Sequence, residues 1–303
     1  MRKLFLLSFF CLGALQANPF PEMEPSFLGD LDQSYLAIAD AISRDDWEYV
    51  RDLSRQSIRE NGQDPRVQDK YYYLGVAYYH YGDFEYCNDY LTQYLETASN
   101  VRHFEEALLH KFWVAEHFRS GKRKRMFKWQ SSAVYLSAYE DALEIYDQIV
   151  AALPFSELAV HSLYGKADVH HYFEEHKESA RTYQTITQKF PQHELAIESY
   201  IHMGFLYLRQ CQTEHLDPDL LDSAESNYRK FCKAFPGEER LEEAKELLVE
   251  MREAFANNLY ETGRFYERTY KPSAAAIYYN KVLQQFPHTL SAMKCQERLD
   301  ALV

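Results

Sequence analysis

The sequence has few of the residues that interrupt helices. Among 303 residues there are only 10 glycines and 10 prolines, and they fall mostly between segments in which apolar residues have helical spacing. No segment alternates apolar and polar residues well enough to predict a strand. The chain is therefore expected to be all-α.

The sequence also lacks positive net charge and catalytic motifs. Its formal net charge of −13 argues against a nucleic-acid binder, because phosphates require a basic surface. It contains no H-E-x-x-H, no phosphate-binding loop and no nucleophile elbow. We therefore expect no enzymatic activity and no cofactor.

Metal ligands and disulfides are not indicated either. His170, His171 and His176 are close in the sequence, but His170 is expected to pack inward and so would not share a face with His171. Cys211 and Cys232 would lie roughly 21 Å apart along paired helices, at about 1.5 Å per residue, which is too far for a disulfide. We expect neither a metal site nor an essential disulfide.

The stretch 256–289 shows the pattern around which the chain is organised. Counted from Ala256 as position 1, the marked positions are Leu259 at 4, Gly263 at 8, Tyr266 at 11, Ala275 at 20, Tyr279 at 24 and Pro287 at 32. This is close to the spacing of the tetratricopeptide repeat, about 34 residues. Two antiparallel helices pack closely only where small residues lie at their crossing, and Gly263 and Ala275 would provide that gap. Pro287 would end the second helix.

Similar helix pairs precede this stretch. Four predicted helix ends share a Leu-Pro or Phe-Pro step, at 153–154, 190–191, 235–236 and 286–287. A longer pair is predicted over 101–119 and 131–153. An insertion at 209–221 separates two helices, and Asp217 is expected to cap the second of them. The predicted fold class is all-α, a tetratricopeptide-repeat solenoid of about five helix-turn-helix repeats over 31–303, with a concave groove.

Residues 1–17 have the pattern of a secretory signal peptide. A positively charged start precedes an apolar segment over 4–15, and small residues follow up to Ala17. The apolar segment is too short to cross a bilayer as a helix, which needs about 20 residues. The proline-rich residues 18–30 are predicted to be an extended tether. Cleavage near Ala17 would change the net charge from −13 to −15.

Three segments between Leu195 and Leu299 carry a family resemblance. They read Y-I-H-M-G-F-L-Y-L from Tyr200, A-E-S-N-Y-R-K-F-C-K-A-F-P from Ala224, and F-Y-E-R-T-Y-K-P-S-A-A-A-I-Y-Y-N-K-V-L-Q-Q-F-P-H-T from Phe265. Their order resembles the BamD family, also called YfiO or ComL. Members of that family are periplasmic five-repeat components of the outer-membrane β-barrel assembly machine.

The resemblance implies a non-catalytic scaffold in the periplasm, at the inner face of the outer membrane. It implies two kinds of protein partner, namely the central barrel-assembly subunit and unfolded segments of outer-membrane proteins. On this basis the N-terminal repeats would offer a groove to substrate segments, and the C-terminal repeats would dock the assembly machinery.

One feature departs from the family. Its members are usually lipidated on a cysteine that follows a small residue, whereas Cys11 here follows Phe9 and Phe10. We favour cleavage near Ala17 over lipidation of Cys11. The departure keeps open a second interpretation, a different periplasmic repeat adaptor that serves envelope division or secretion.

Five tyrosines are candidates for a partner-binding groove. In tetratricopeptide proteins, positions 2, 5, 9, 12 and 13 of the first helix generally face the concave surface. Position 5 is occupied by Tyr72, Tyr164 and Tyr260, and position 12 or 13 by Tyr79 and Tyr172. Tyrosine combines an apolar body with a polar tip, which suits peptide recognition. The alternative is that these side chains pack between neighbouring repeats.

A basic run interrupts the otherwise acidic chain between two predicted helices. It comprises Arg119, Lys122, Arg123, Lys124, Arg125 and Lys128, with Trp129 beside them. Such a run favours contact with anionic lipid headgroups or an acidic partner, with the aromatic residue at the interface. The alternative is a solvated loop between helices.

Overall fold

The computed structural model describes residues 30–61, 64–97, 101–125, 134–213 and 217–302. The described residues form thirteen α-helices: α1 (Asp30–Ser43), α2 (Trp47–Asn61), α3 (Gln68–His80), α4 (Phe84–Thr97), α5 (Phe104–Arg119), α6 (Tyr139–Ala152), α7 (Glu157–Tyr172), α8 (His176–Lys189), α9 (Glu194–Thr213), α10 (Pro218–Ala234), α11 (Leu241–Arg268), α12 (Pro272–Gln285) and α13 (Leu290–Leu302). They also form a short 3-10 helix, Pro65–Val67, and two strands, β1 (Arg123–Arg125) and β2 (Val134–Ser137). The predicted signal peptide, and the predicted tether up to residue 29, lie outside the described residues.

Successive helices pack against each other in pairs joined by short turns. Helix α3 packs on α4, α7 on α8, and α11 on α12. Each of these pairs is a helix-turn-helix unit, and the fold belongs to the all-α tetratricopeptide-repeat solenoid class, as the repeat spacing predicts. None of the described helices is long and apolar enough to cross a membrane.

The close approach predicted at Gly263 is present. A Cβ atom on Gly263 would lie 2.5 Å from Cε1 of Tyr279, on the partner helix α12. Gly75 makes the same kind of approach between α3 and α4, where a Cβ would lie 2.8 Å from Cδ2 of Leu91. Only glycine leaves room for these side chains, so within each of these two repeats the paired helices approach closely at the crossing.

The four predicted Leu-Pro and Phe-Pro helix ends are confirmed. The N–H of the residue before each proline donates to the carbonyl four residues earlier, and the helix stops there because proline cannot continue the bonding. The donor–acceptor pairs are Leu153 to Ile149 at 2.9 Å, Phe190 to Ile186 at 2.8 Å, Phe235 to Phe231 at 3.0 Å and Phe286 to Val282 at 2.8 Å.

The chain divides into two compact units. The first extends to Lys111 and the second begins at Phe112, so the boundary lies within α5. The first unit has a core that includes Ile38, Ala41, Val50 and Ala77. In the second unit, the largest core side chains include Tyr183, Phe231, Met251 and Tyr279.

The expectation that the chain has no strand is wrong at one place. Strands β1 and β2 pair antiparallel, with Lys124 opposite Leu136. The predicted helix over 131–153 accordingly begins later, at Tyr139. A strand of three or four residues is too short to show a period of two in the sequence, so alternation could not reveal this hairpin.

The predicted insertion at 209–221 is shorter than expected. Helix α9 continues to Thr213, and α10 begins at Pro218. The Asp217 carboxylate accepts a hydrogen bond from the N–H of Asp219 at 3.0 Å. The predicted capping role of Asp217 is therefore confirmed.

Candidate functional site

Two of the predicted groove tyrosines lie on α3 of the first unit. Tyr72 is only 4% exposed and stacks on His103, with ring centroids 4.4 Å apart. Tyr79 is half-buried and lies edge-on to Phe84 and His110. Burial raises the pKa of both phenols. Both side chains therefore help to pack the first unit, and a role for them in partner binding stays a prediction.

The other three predicted groove tyrosines belong to the second unit. The Tyr164 hydroxyl lies 3.0 Å from Nε2 of His202, and burial raises the pKa of Tyr164. Tyr260 is half-buried, with its ring centroid 5.9 Å from that of Tyr279. Tyr172 is 65% exposed. Of the five tyrosines, Tyr172 is thus the one that a partner could reach most easily.

Tyr172 belongs to an exposed aromatic cluster. Its ring centroid lies 4.9 Å from that of Tyr139, and Tyr139 lies 5.2 Å from Phe173. Phe173 is exposed as well. Large aromatic side chains that group together on a surface are a usual feature of protein interfaces.

Four residues of the predicted basic run lie on or next to β1. They are Lys122, Arg123, Lys124 and Arg125. Lys122 and Arg123 are exposed, whereas Arg125 is half-buried. Lys128 and Trp129 lie outside the described residues.

The basic strand lies at the same end of α6 as the aromatic cluster. Nζ of Lys124 pairs with a carboxylate oxygen of Asp141 at 2.5 Å. Asp141 is in the first turn of α6, which begins at Tyr139. The pair therefore holds β1 at the N-terminal end of α6. We call this region the hairpin surface, made of Lys122, Arg123, Tyr139, Tyr172 and Phe173.

Arg119, the first residue of the basic run, is part of an internal ion-pair network instead. Its guanidinium pairs with Glu116 at 2.6 Å and with Asp168 at 3.0 Å. The Tyr183 hydroxyl donates to Asp168 at 2.8 Å, and the Tyr146 hydroxyl donates to Glu116 at 2.5 Å. Burial raises the pKa of Asp168, while the hydrogen bond from Tyr183 and the charge of Arg119 oppose that rise.

Within the second unit, this network joins the C-terminal part of α5 to α6, α7 and α8. The sequence analysis did not predict it. Arg119 and Asp168 are 49 residues apart along the chain. The one local signal was the spacing of three residues between Glu116 and Arg119 on a helix. Nothing in that spacing points to α7 or α8.

A second polar cluster was also missed, and it consists of Glu157, His161 and His193. A carboxylate oxygen of Glu157 lies 3.3 Å from Nε2 of His161 and 2.8 Å from Nε2 of His193. The hydrogen bond with His193 lowers the pKa of Glu157. The two histidines and the carboxylate are close enough together to raise the question of a metal site.

The hydrogen bonding of His193 gives this cluster a structural role. The backbone N–H of Leu195 donates to Nδ1 of His193 at 3.0 Å. A neutral imidazole has one N–H and one lone pair, so Nε2 of His193 carries the hydrogen and donates a hydrogen bond to Glu157. A metal ligand needs a lone pair on that nitrogen. In this arrangement His193 caps the start of α9 instead.

Comparison with known proteins gives one family. A family model described as YfiO, outer membrane lipoprotein, matches residues 119–302. No curated protein matches the chain significantly.

Several solved structures are similar to the chain at low identity. A tetratricopeptide-repeat protein from Bacteroides fragilis has a TM-score of 0.42 at 11% identity, covering 91% of this chain and 100% of that one. One from Parabacteroides merdae has a TM-score of 0.40 at 12% identity, covering 90% and 98%. MamA from Desulfovibrio magneticus has a TM-score of 0.40 at 18% identity, covering 72% and 98%.

Proposed function

Because the chain belongs to the YfiO family of outer membrane lipoproteins, we propose that it is a non-catalytic scaffold of the machinery that assembles β-barrel proteins in the outer membrane. The observation that carries the proposal is the family match over residues 119–302. Membership of that family supports a role in outer-membrane assembly, and a tetratricopeptide-repeat fold suits binding to other proteins. The proposed partners are the central barrel-assembly subunit and unfolded segments of outer-membrane proteins.

The exposed side chains suggest where partners bind. The second unit contains all of the matched residues, so its C-terminal repeats are the proposed dock for the central subunit. Substrate segments would contact the candidate tyrosines, and Tyr172 is the most exposed of these. Lys122 and Arg123, on the hairpin surface, would meet an acidic partner or anionic lipid headgroups.

Crosslinking in living cells tests the proposed role. Membranes are solubilised after crosslinking, the protein is captured, and its companions are identified by mass spectrometry. We expect the central barrel-assembly subunit among them. Its absence, together with recovery of division or secretion proteins, would support the adaptor interpretation, which the unusual context of Cys11 favours.

The hairpin surface has its own test. The double variant Lys122→Glu/Arg123→Glu should lose crosslinks to an acidic partner or to lipid, because like charges would then face each other. The double variant Lys230→Glu/Lys233→Glu makes the same charge change at exposed lysines of α10 and serves as the control. If the two double variants gave the same crosslinks, the hairpin surface would make no specific contact, and the interpretation of the basic run as a solvated loop would hold.

We propose that the chain acts at the periplasmic face of the outer membrane and is cleaved near Ala17. The description of the family as outer membrane lipoproteins supports the location. Cys11 follows two phenylalanines, which supports cleavage over lipidation. The mass of the mature protein, combined with labelling by radioactive palmitate, distinguishes cleavage near Ala17 from lipidation of Cys11. Incorporated label with Cys11 at the N-terminus would overturn cleavage near Ala17.

A further inference from the structure

A groove runs along the first half of α11 and the start of α13, in the second unit. Its volume is about 860 Å³. The α11 residues that line it recur every three or four positions, so they share one face of that helix. They include Glu242, Lys245, Glu246, Val249, Glu250 and Glu253. The other wall is formed by residues 287–290 and Met293.

Three large apolar side chains line this groove. Val249 is 53% exposed, Leu290 is 67% exposed and Met293 is 65% exposed. Single exposed apolar residues are common on proteins, but several that line one groove indicate a surface that a partner covers. Methionine in particular adapts its shape to different partners.

The rim of the groove is acidic. Four glutamates line it, and of the described lining residues only Lys245 is a lysine or arginine. The ammonium group of Lys245 pairs with the carboxylate of Glu242 at 2.9 Å, so Lys245 is engaged by one of these glutamates. The groove therefore presents net negative charge around an apolar floor.

One of the glutamates has a structural role. The Glu253 carboxylate accepts hydrogen bonds from the backbone N–H groups of Leu290 at 2.7 Å and Ser291 at 2.9 Å. It thereby caps α13 and sets the position of Leu290 beside α11. Glu246 and Glu250 lie one turn apart on the same helix face.

We propose that this groove binds a basic amphipathic helix of a partner protein. The apolar face of the partner would cover Val249, Leu290 and Met293. Its lysines or arginines would face Glu242, Glu246 and Glu250. These glutamates are spaced by four residues, about 6 Å along α11. Cations four residues apart on the partner helix have the same spacing, so each would meet one carboxylate. Insertion of an amphipathic helix into a groove is a common mode of peptide recognition.

A designed peptide tests the proposal on the full chain. The peptide carries leucines on one face and lysines every four residues beside them, with a fluorescent label. Binding is followed by fluorescence anisotropy. We expect saturable binding that weakens as salt is added, because salt screens the charge pairs. A scrambled peptide of the same composition should bind at least about tenfold more weakly, since it has no apolar face.

Charge-reversal variants test whether the peptide binds in the groove or to the acidic surface in general. Glu246→Lys/Glu250→Lys should weaken binding by roughly tenfold or more. Asp222→Lys/Glu297→Lys changes the net charge equally at exposed positions outside the groove and should change binding by less than about twofold. Val249→Ser/Met293→Ser should weaken binding as well, because it removes the apolar floor. Circular dichroism and thermal melting show whether each variant is folded.

Three outcomes would overturn the proposal. They are no binding of the designed peptide at about 0.1 mM, equal binding of the scrambled peptide, and equal loss in both charge-reversal variants. Failure here would leave the proposed function intact, because that function rests on the family match and on capture of the barrel-assembly subunit.

Discussion

Single side chains at helix crossings decide how closely the helices of a repeat pack. Tyr279 is fully buried, and its hydroxyl donates to Glu267 at 2.8 Å. The Glu267 carboxylate in turn pairs with Arg298 of α13. The ring cannot move away from Gly263 without disturbing these bonds, so the crossing of α11 and α12 tolerates little extra volume.

Gly263→Ala should therefore destabilise the protein. Alanine normally stabilises a helix by about 1 kcal/mol relative to glycine. Here its Cβ would lie 2.5 Å from the ring of Tyr279, and we expect a net loss of roughly 1–3 kcal/mol in the free energy of unfolding. Urea unfolding followed by circular dichroism measures the difference.

Gly204→Ala provides the matched control. A Cβ on Gly204 would lie 3.2 Å from Cδ1 of Leu247, the end of a flexible side chain that can shift slightly. This variant should change stability little or increase it. If Gly263→Ala were as stable as the wild type, the close packing against Tyr279 would be contradicted.

At the scale of elements, helix ends are secured by caps of different origin. Ser156 caps α7 locally, accepting from the N–H of Ala159 at 3.1 Å. Asp217 likewise caps α10 locally, accepting from the N–H of Asp219 at 3.0 Å. Glu253 caps α13 from a different helix. Local caps belong to one helix, whereas the Glu253 cap also joins two helices.

Asp217→Ala should weaken the start of α10. Removal of an N-cap carboxylate typically costs about 1 kcal/mol of stability, and urea unfolding measures it. Asp222→Ala is the control, because Asp222 is exposed on the same helix beyond the cap. That variant should stay within about 0.5 kcal/mol of the wild type. Equal effects of the two substitutions would rule out capping as the cause.

At the scale of the whole molecule, burial of histidines makes stability depend on pH. Desolvation lowers the pKa of histidines in each unit, and examples are His103, His110, His171 and His202. The folded chain therefore favours neutral rings. Between the folded and unfolded pKa values, the unfolded chain binds more protons than the folded chain.

The protein should consequently lose stability as the pH falls below about 6.5, the ordinary pKa of histidine. The contribution of the neutral rings is fully present above that value and is lost as the pH falls through the lower folded pKa values. The buried Asp168 acts in the opposite sense, because burial raises its pKa. We expect a lower urea midpoint at about pH 6 than at about pH 7.5, where the unfolded rings are mostly neutral.

The variant His202→Gln tests how much one buried histidine contributes to this pH dependence. The His202 ring stacks on Tyr183, so the variant should be less stable at neutral pH. It should nevertheless show a smaller pH dependence than the wild type, because one titrating group is gone. A wild-type midpoint that stays constant or rises on acidification would contradict the prediction.

The sequence by itself determined the repeat framework. The helix ends at Leu153, Phe190, Phe235 and Phe286 and the close approach at Gly263 all follow from rules that act within one repeat. Proline stops a helix, aspartate caps one, and a small residue marks a crossing. Each rule depends on residue types at fixed short separations, so the pattern of letters is sufficient. The same patterns carried the resemblance to the family that the chain matches.

The surfaces were decided only by the tertiary structure. Tyr72 and Tyr172 are the same residue type and were both predicted to face the groove, yet one is buried against His103 and the other is exposed. Arg119 belongs to a basic run in the sequence but pairs with Asp168 on another helix. Exposure and pairing depend on which distant residues meet, and that meeting results from the packing of whole helices. For the same reason, the glutamates of α11 did not by themselves predict the acidic groove. Its opposite wall is formed by α13, which only the tertiary structure places there.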